Sequence, residues 1–150
     1  MSTLTPRIDF GDGWTPHERF VLYDKIIIDR GSRYSVSVGY VTGKADIKAF
    51  LAKLTSKKAY TKATHHSWAT RLIKDGAVYE TKRDDGETGA GMVILRELQA
   101  AGAVNCIVCV TRWFGGTKLM GDRFKHLQDA SRYALKTVPR TPHISEDGYN

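Results

Sequence analysis

The chain reads as an α/β domain with helices on one face of a mixed, mostly antiparallel sheet. Three observations lead there. Short runs repeat apolar side chains every second residue, longer runs repeat them every third or fourth, and the runs follow the order strand, strand, helix, strand, strand, helix, strand, helix. At 150 residues, one domain can bury enough apolar surface to need no disulfide or metal staple.

Residues 1–19 are rich in turn formers, with Gly11-Asp12-Gly13 and Pro16, and read as a flexible N-terminal arm. The ordered domain is expected over residues 20–138. In Tyr34-Ser35-Val36-Ser37-Val38-Gly39-Tyr40, large apolar and small side chains alternate, the period of a strand with one buried face. Residues 22–29 are its hairpin partner across Arg30-Gly31-Ser32. From Ala45 the period changes, and Ile47, Phe50, Leu51 and Leu54 fall on one face of a helix. His66, Trp68, Thr70 and Leu72 alternate again and lead through Lys74-Asp75-Gly76 into residues 78–81, a second hairpin. Residues 90–101 form a helix with Asp84, Asp85 and Glu87 before its positive end and Gly102 placed to stop it. That placement leaves a structural role for the acids open beside a functional one. Residues 104–112 form the fifth strand. Asp122 is placed to cap a last helix whose apolar face is Phe124, Leu127, Ser131, Ala134 and Leu135 and which ends before Pro139. Residues 139–150 read as a flexible polar tail.

The 23 basic residues outnumber the 16 acidic ones, and the net charge of +7 favours polyanionic partners. The bases are unevenly placed: Lys53, Lys57, Lys58 and Lys62 sit together without an acid, and Arg123, Lys125, Arg132 and Lys136 recur along the last helix. The longest apolar runs, 26–28 and 106–110, fall far short of the ~20 residues of a membrane span. The first six residues lack a signal peptide's basic start and apolar centre, so a soluble, cytoplasmic protein is expected. Cys106 and Cys109 have C-x-x-C spacing, but on a strand residues three apart face opposite ways, so both are expected as core thiols.

No metal site, cofactor or catalytic set is expected. Asp84, Asp85 and Glu87 lack the spacing and the further oxygens that a hard cation needs. His65 and His66 are strand neighbours that cannot both enter one pocket, one belonging near the core and the other at the surface. Phosphate binding is better supported. Gly115-Gly116 frees backbone amides to approach an anion, and Arg112, Lys118, Arg123 and Lys125 lie close in sequence. The glycines match neither the P-loop nor the dinucleotide fingerprint. Trp113 and Phe114 have the ring faces to stack bases, while sealing the core at the strand end is the plainer role for one of them.

At these residues the sequence resembles the IMPACT family, which includes bacterial YigZ-type proteins and eukaryotic regulators of translation. Ser32-Arg33-Tyr34 resembles the family's Ser-Lys/Arg-Phe element, and Ala63-Thr64-His65-His66-Ser67-Trp68-Ala69 its His-containing strand. Residues 84–91 resemble its acidic signature and residues 111–119 its Arg-aromatic-Gly-Gly signature. Gly121-Asp122-Arg123-Phe124-Lys125-His126 is similar to the eukaryotic form. The resemblance covers roughly residues 30–136. It implies a two-layer α/β domain with a left-handed βαβ crossover, as in elongation factor G domain IV and the RNase P protein. Eukaryotic members carry an added N-terminal RWD domain for kinase control, and this chain is expected to be a stand-alone domain.

Two functions are carried forward. The first is a non-enzymatic, translation-associated module that binds the ribosome or RNA through Arg112, Gly115, Gly116, Lys118, Arg123, Lys125 and His126. The second is a protein-interaction adaptor in stress or translation control. It would offer Asp84, Asp85 and Glu87, with His65, to a basic translation-control or cytoskeletal partner. An enzyme ranks last, because no nucleophile-base pair is legible.

Overall fold

Two tight turns set the pattern of the sheet. Arg30 and Gly31 have φ of 47° and 86°, and Asp75 and Gly76 have φ of 53° and 76°. Positive φ at both central residues is what a two-residue hairpin turn requires if the strands are to keep their right-handed twist. The computed structural model describes residues 13–143. Its strands are β1 (Trp14–Pro16), β2 (Val21–Asp29), β3 (Ser32–Tyr40), β4 (His65–Lys74), β5 (Ala77–Arg83), β6 (Cys106–Trp113) and β7 (Arg140–Pro142). Its helices are α1 (Lys44–Thr55), α2 (Lys58–Thr61), α3 (Ala90–Ala101) and α4 (Asp122–Thr137).

The main sheet has the order β2-β3-β6-β4-β5, and all four pairings are antiparallel. The expected class therefore holds, with a sheet more uniformly antiparallel than the mixed one anticipated. β6 lies at the centre, and every one of its residues is buried.

Helices cover both faces, which corrects the expected one-sided arrangement. On one face Tyr34, Val36, Val38, Ala69, Val108 and Val110 pack against Ile94, Leu95 and Leu98 of α3 and Leu127, Ala130 and Ala134 of α4. On the other, Trp68, Ile107, Cys109 and Trp113 pack against Ile47, Phe50 and Leu54 of α1 and Tyr60 of α2. Cys106 and Cys109 thus belong to opposite faces, as strand geometry demands. Burial pushes the Cys109 thiol up to about 12.

The crossover hand follows from hydrogen bonding. The Arg112 carbonyl accepts from the Thr64 amide just ahead of β4, so β6 residues on the α3 side hydrogen-bond toward β4. For L-residues this places β4 to the right of an upward-running β6 viewed from that side. β5 runs parallel to β6 beyond β4, so the path from β5 through α3 to β6 moves leftward in front of the sheet. It is a left-handed crossover, the hand that parallel connections rarely take.

Residues 14–16, expected within a flexible arm, instead form β1 and pair with β7, which was assigned to the tail. Trp14 explains the difference. It is 7% exposed, its indole Nε1 donates to the Ala101 carbonyl at 2.9 Å, and the Arg140 guanidinium lies 3.9 Å from the ring centroid. Gly11 and Asp12 lie outside the described residues. Trp14→Ala should cost about 3–5 kcal/mol, read as a lower urea midpoint, whereas a loosely held arm would lose under about 0.5 kcal/mol.

Candidate functional site

The two signature turns meet at one end of the sheet, and they meet through charge. Arg112 is the last but one residue of β6, and its position on the α3 face turns its side chain inward. Its Nη1 donates to Glu87 Oε2 at 2.7 Å, with the two side chains 6% and 3% exposed. Nη2 donates to Ser32 Oγ at 3.3 Å, and the guanidinium lies within 6 Å of the Tyr34 and Phe114 ring centroids. Arg123, from the first turn of α4, donates to the same Glu87 oxygen at 3.4 Å and to the Thr88 carbonyl at 3.0 Å. One buried carboxylate thus holds two guanidinium groups. Glu87 Oε1 and Arg112 Nε are buried with no partner among the described residues.

The other acids turn toward backbone. Asp84 Oδ2 accepts from the Gly89 amide at 3.0 Å and Oδ1 from the Gly91 amide at 2.8 Å. Asp84 therefore caps α3 from five residues upstream of Gly89, a residue that has no capping side chain. These amides, Gly89 first, hold its carboxyl below the usual carboxylate range. Gly91 makes room for it, since an added Cβ would sit 3.0 Å from Asp84 Oδ1 and 3.1 Å from the Arg83 amide nitrogen. Asp85 Oδ2 accepts from the His66 amide at 2.7 Å, while His65 Nδ1 donates to the Asp85 carbonyl at 2.8 Å. His66 is committed inward, with Nε2 donating to the Tyr60 carbonyl and Nδ1 bonded to Thr111 Oγ1.

These positions correct several sequence assignments. Arg112 is held as an internal partner of Glu87 and contributes to the outward cleft only as part of its lining. Gly115 donates its amide to Ser32 Oγ at 3.1 Å, and a Cβ there would lie 2.0 Å from the Gly31 carbonyl carbon, so this glycine permits two turns to touch. His126 Nε2 lies 2.7 Å from Asp29 Oδ2, away from the phosphate-seeking role given to it. Arg30 first, then His126, depresses the Asp29 carboxyl to about 2. Lys125 is exposed and pairs along its own helix with Asp129 at 2.9 Å. Asp122 is the first residue of α4, with Gly121 at the cap, and it pairs with Arg30 in place of capping. Glu87 is buried and Asp84 and Asp85 hold backbone amides, so the three acids do not form an acidic face.

What remains outward is a cleft of about 270 Å³ lined by His65, Glu87, Arg112, Phe114, Lys118 and Arg123. Lys118 is exposed on its rim, and Gly116, with φ of 90°, is exposed in the loop just before it. The amides of Gly116, Thr117 and Lys118 have no acceptor among the described residues. Phe114, Met120 and Phe124 are 47%, 72% and 37% exposed. Sequence reasoning missed Thr64, whose Oγ1 accepts from the Phe114 amide at 2.9 Å, and the Ser32 bridge between Arg112 and Gly115. Small hydroxyl residues in turns carry no signal of distant partners.

The family model described as the Impact N-terminal domain matches residues 30–135. The Protein IMPACT homolog of Saccharomyces cerevisiae is 36% identical over 83% of this chain and 46% of its own length. Protein IMPACT of Mus musculus is 37% identical over 77% of this chain and 38% of its own. The chain thus spans less than half of these relatives. Among solved structures, one known only as a hypothetical protein superposes with TM-score 0.75 over 86% of this chain and 62% of that one. At 24% identity it speaks to the fold. The two-domain translational regulator Yih1 is 35% identical, with TM-score 0.50, over 83% of this chain and 46% of that one.

Asp84→Ala should cost about 1–2 kcal/mol through loss of the cap. Because the folded-state pKa is depressed, the stabilisation is complete above the ordinary value of 3.8 and is lost as pH falls through the lower folded value. Thermal melts of both proteins should therefore differ at pH 7 and converge toward pH 2; a constant gap would remove the carboxylate from the account.

Proposed function

This chain belongs to the IMPACT family, and on that premise we propose that it is a non-enzymatic, cytoplasmic, translation-associated module that engages the ribosome or its RNA. The relative named as a translational regulator supports the regulatory reading. The observation that carries the binding reading is the cleft rim. Lys118, the remaining N–H groups of Arg123 and, in the adjoining loop, the amides of Gly116, Thr117 and Lys118, which have no acceptor among the described residues, are donors suited to a phosphate. Phe114 and Phe124 offer ring surface for bases beside them. The non-catalytic reading is supported by where the reactive side chains are committed. His66 is held between Tyr60 and Thr111, and both cysteines are buried with raised pKa.

A protein-adaptor reading is favoured by one observation, in altered form. Phe114, Met120 and Phe124 expose apolar surface around the cleft, so a partner would meet these side chains and the rim cations in place of an acidic face.

Co-sedimentation with ribosomes across a salt series tests the reading. Binding should weaken steeply as salt rises, and Phe114→Ala with Lys118→Glu should weaken it roughly tenfold at fixed salt. Absence of binding at low salt would contradict it. Partners retained after nuclease treatment, and lost in Phe114→Ala with Met120→Ala, would favour the adaptor.

A further inference from the structure

Among the described residues, a denser group of unpaired positive charge lies away from the cleft. On α4, Arg123 pairs with Glu87, Lys125 with Asp129 and Arg132 with Glu97, which leaves Lys136 as its lysine without a carboxylate partner among the described residues. Residues 44–62 differ: six lysines face one acid, Asp46, so this segment alone holds +5 of the chain's net +7. Asp46 is occupied by Thr42 and Arg19. Lys44, Lys48, Lys53, Lys57, Lys58 and Lys62 are all exposed, and none has a carboxylate within salt-bridge distance among the described residues.

Three of these lysines adjoin the residues that hold one ring, while Lys53 lies over another, 5.9 Å from the Phe20 centroid. Trp113, at the end of β6, donates its indole N–H to the Ala59 carbonyl of α2 at 3.0 Å and meets the Tyr60 ring at 4.8 Å. Lys57, Lys58 and Lys62 therefore flank the residues that clamp the indole. From β2 and β3, Lys25 Nζ and the Arg33 guanidinium approach the same ring at 5.3 and 5.8 Å from its centroid. Asp24 accepts from the Tyr60 hydroxyl and Ser35 and pairs with Lys25 Nζ at 3.6 Å, so of these two cations Arg33 is the one without a carboxylate partner among the described residues. Trp113 is 9% exposed and serves as the floor of a cationic surface, not as a stacking platform.

We propose that the exposed face of α1 and α2, with Arg33, is a phosphate-backbone contact for RNA. It would supply most of the salt-dependent affinity while the cleft on the opposite face of the sheet makes the local contacts. The inference rests on the ribosome-or-RNA reading above. RNA is favoured over an acidic protein because none of the large exposed hydrophobic side chains lies on α1 or α2, leaving no apolar anchor of the kind protein interfaces depend on. Lysines without such an anchor suit a repeating phosphate charge, which needs point cations and no shape match.

The test is single-stranded RNA binding by the full chain from 0.05 to 0.3 M salt. Wild type is compared with the Lys57→Gln, Lys58→Gln, Lys62→Gln triple. A charge-matched triple, Lys74→Gln, Lys82→Gln, Lys136→Gln, serves as control, and thermal melts confirm that all three proteins fold. At about 0.7 in the log–log slope per phosphate contact, the first triple should lower the slope by about 2 and weaken binding roughly a hundredfold at 0.1 M salt. The control should lose under about threefold. Equal losses in both triples, with wild type still binding ribosomes, would overturn this inference and leave the functional reading intact. Wild type binding neither ribosomes nor RNA would overturn both. Polyglutamate bound as tightly as RNA, with the same loss in the first triple, would overturn the assignment to RNA in favour of an acidic protein.

Discussion

The Glu87–Arg112 ion pair fixes the relation between the two signature turns, and most of the site follows from it. Taking two charges out of water is costly, and their attraction repays that cost only in good geometry with further hydrogen bonds. Here Arg112 gains Ser32 and two aromatic faces, and Glu87 gains Arg123, while one oxygen and one nitrogen of the pair have no partner among the described residues. Such a pair adds little net stability, but neither member can be left alone in the interior. The acidic turn is thereby tied to the end of β6, which sets where α3 starts and where the 114–118 loop leaves the sheet.

That constraint also divides the charges by role. Arg112, Asp84 and Glu87 are spent on geometry, and Asp29, Arg30, Asp122 and His126 join the first hairpin to the start of α4. Surface pairs of the latter kind contribute little energy each. What they leave available for a partner is the cleft rim on one side and the lysines of α1 and α2 on the other. The two meet at the end of β6, where Arg112 and Phe114 turn to the cleft and Trp113 to α2.

Much of the fold was legible because strands and helices write different periods. The covering of the second face was not, because Ser35, Ser37, Thr70 and Thr111 look like solvent-facing positions yet are all at most 1% exposed beneath α1, α2 and their neighbours. Small polar residues that bond locally leave room for Tyr60, Phe50 and Trp113 to fill the space. β1 was hidden by its three-residue length and by Pro16, in a segment otherwise rich in turn formers. The site's members were legible as motifs, but their roles were not. Arg112 and Glu87 are separated by 25 positions, and nothing local reveals that each neutralises the other.

Whether the ion pair ties the two turns together is decided by a double-mutant cycle on Glu87→Gln and Arg112→Gln, read as unfolding free energy. Each single variant should lose much stability, with a favourable coupling on the order of 2 kcal/mol or more, so that the double variant is less destabilised than the sum of the singles. Additive losses with coupling near zero would contradict it, and would mean that the two signature turns find their places without each other.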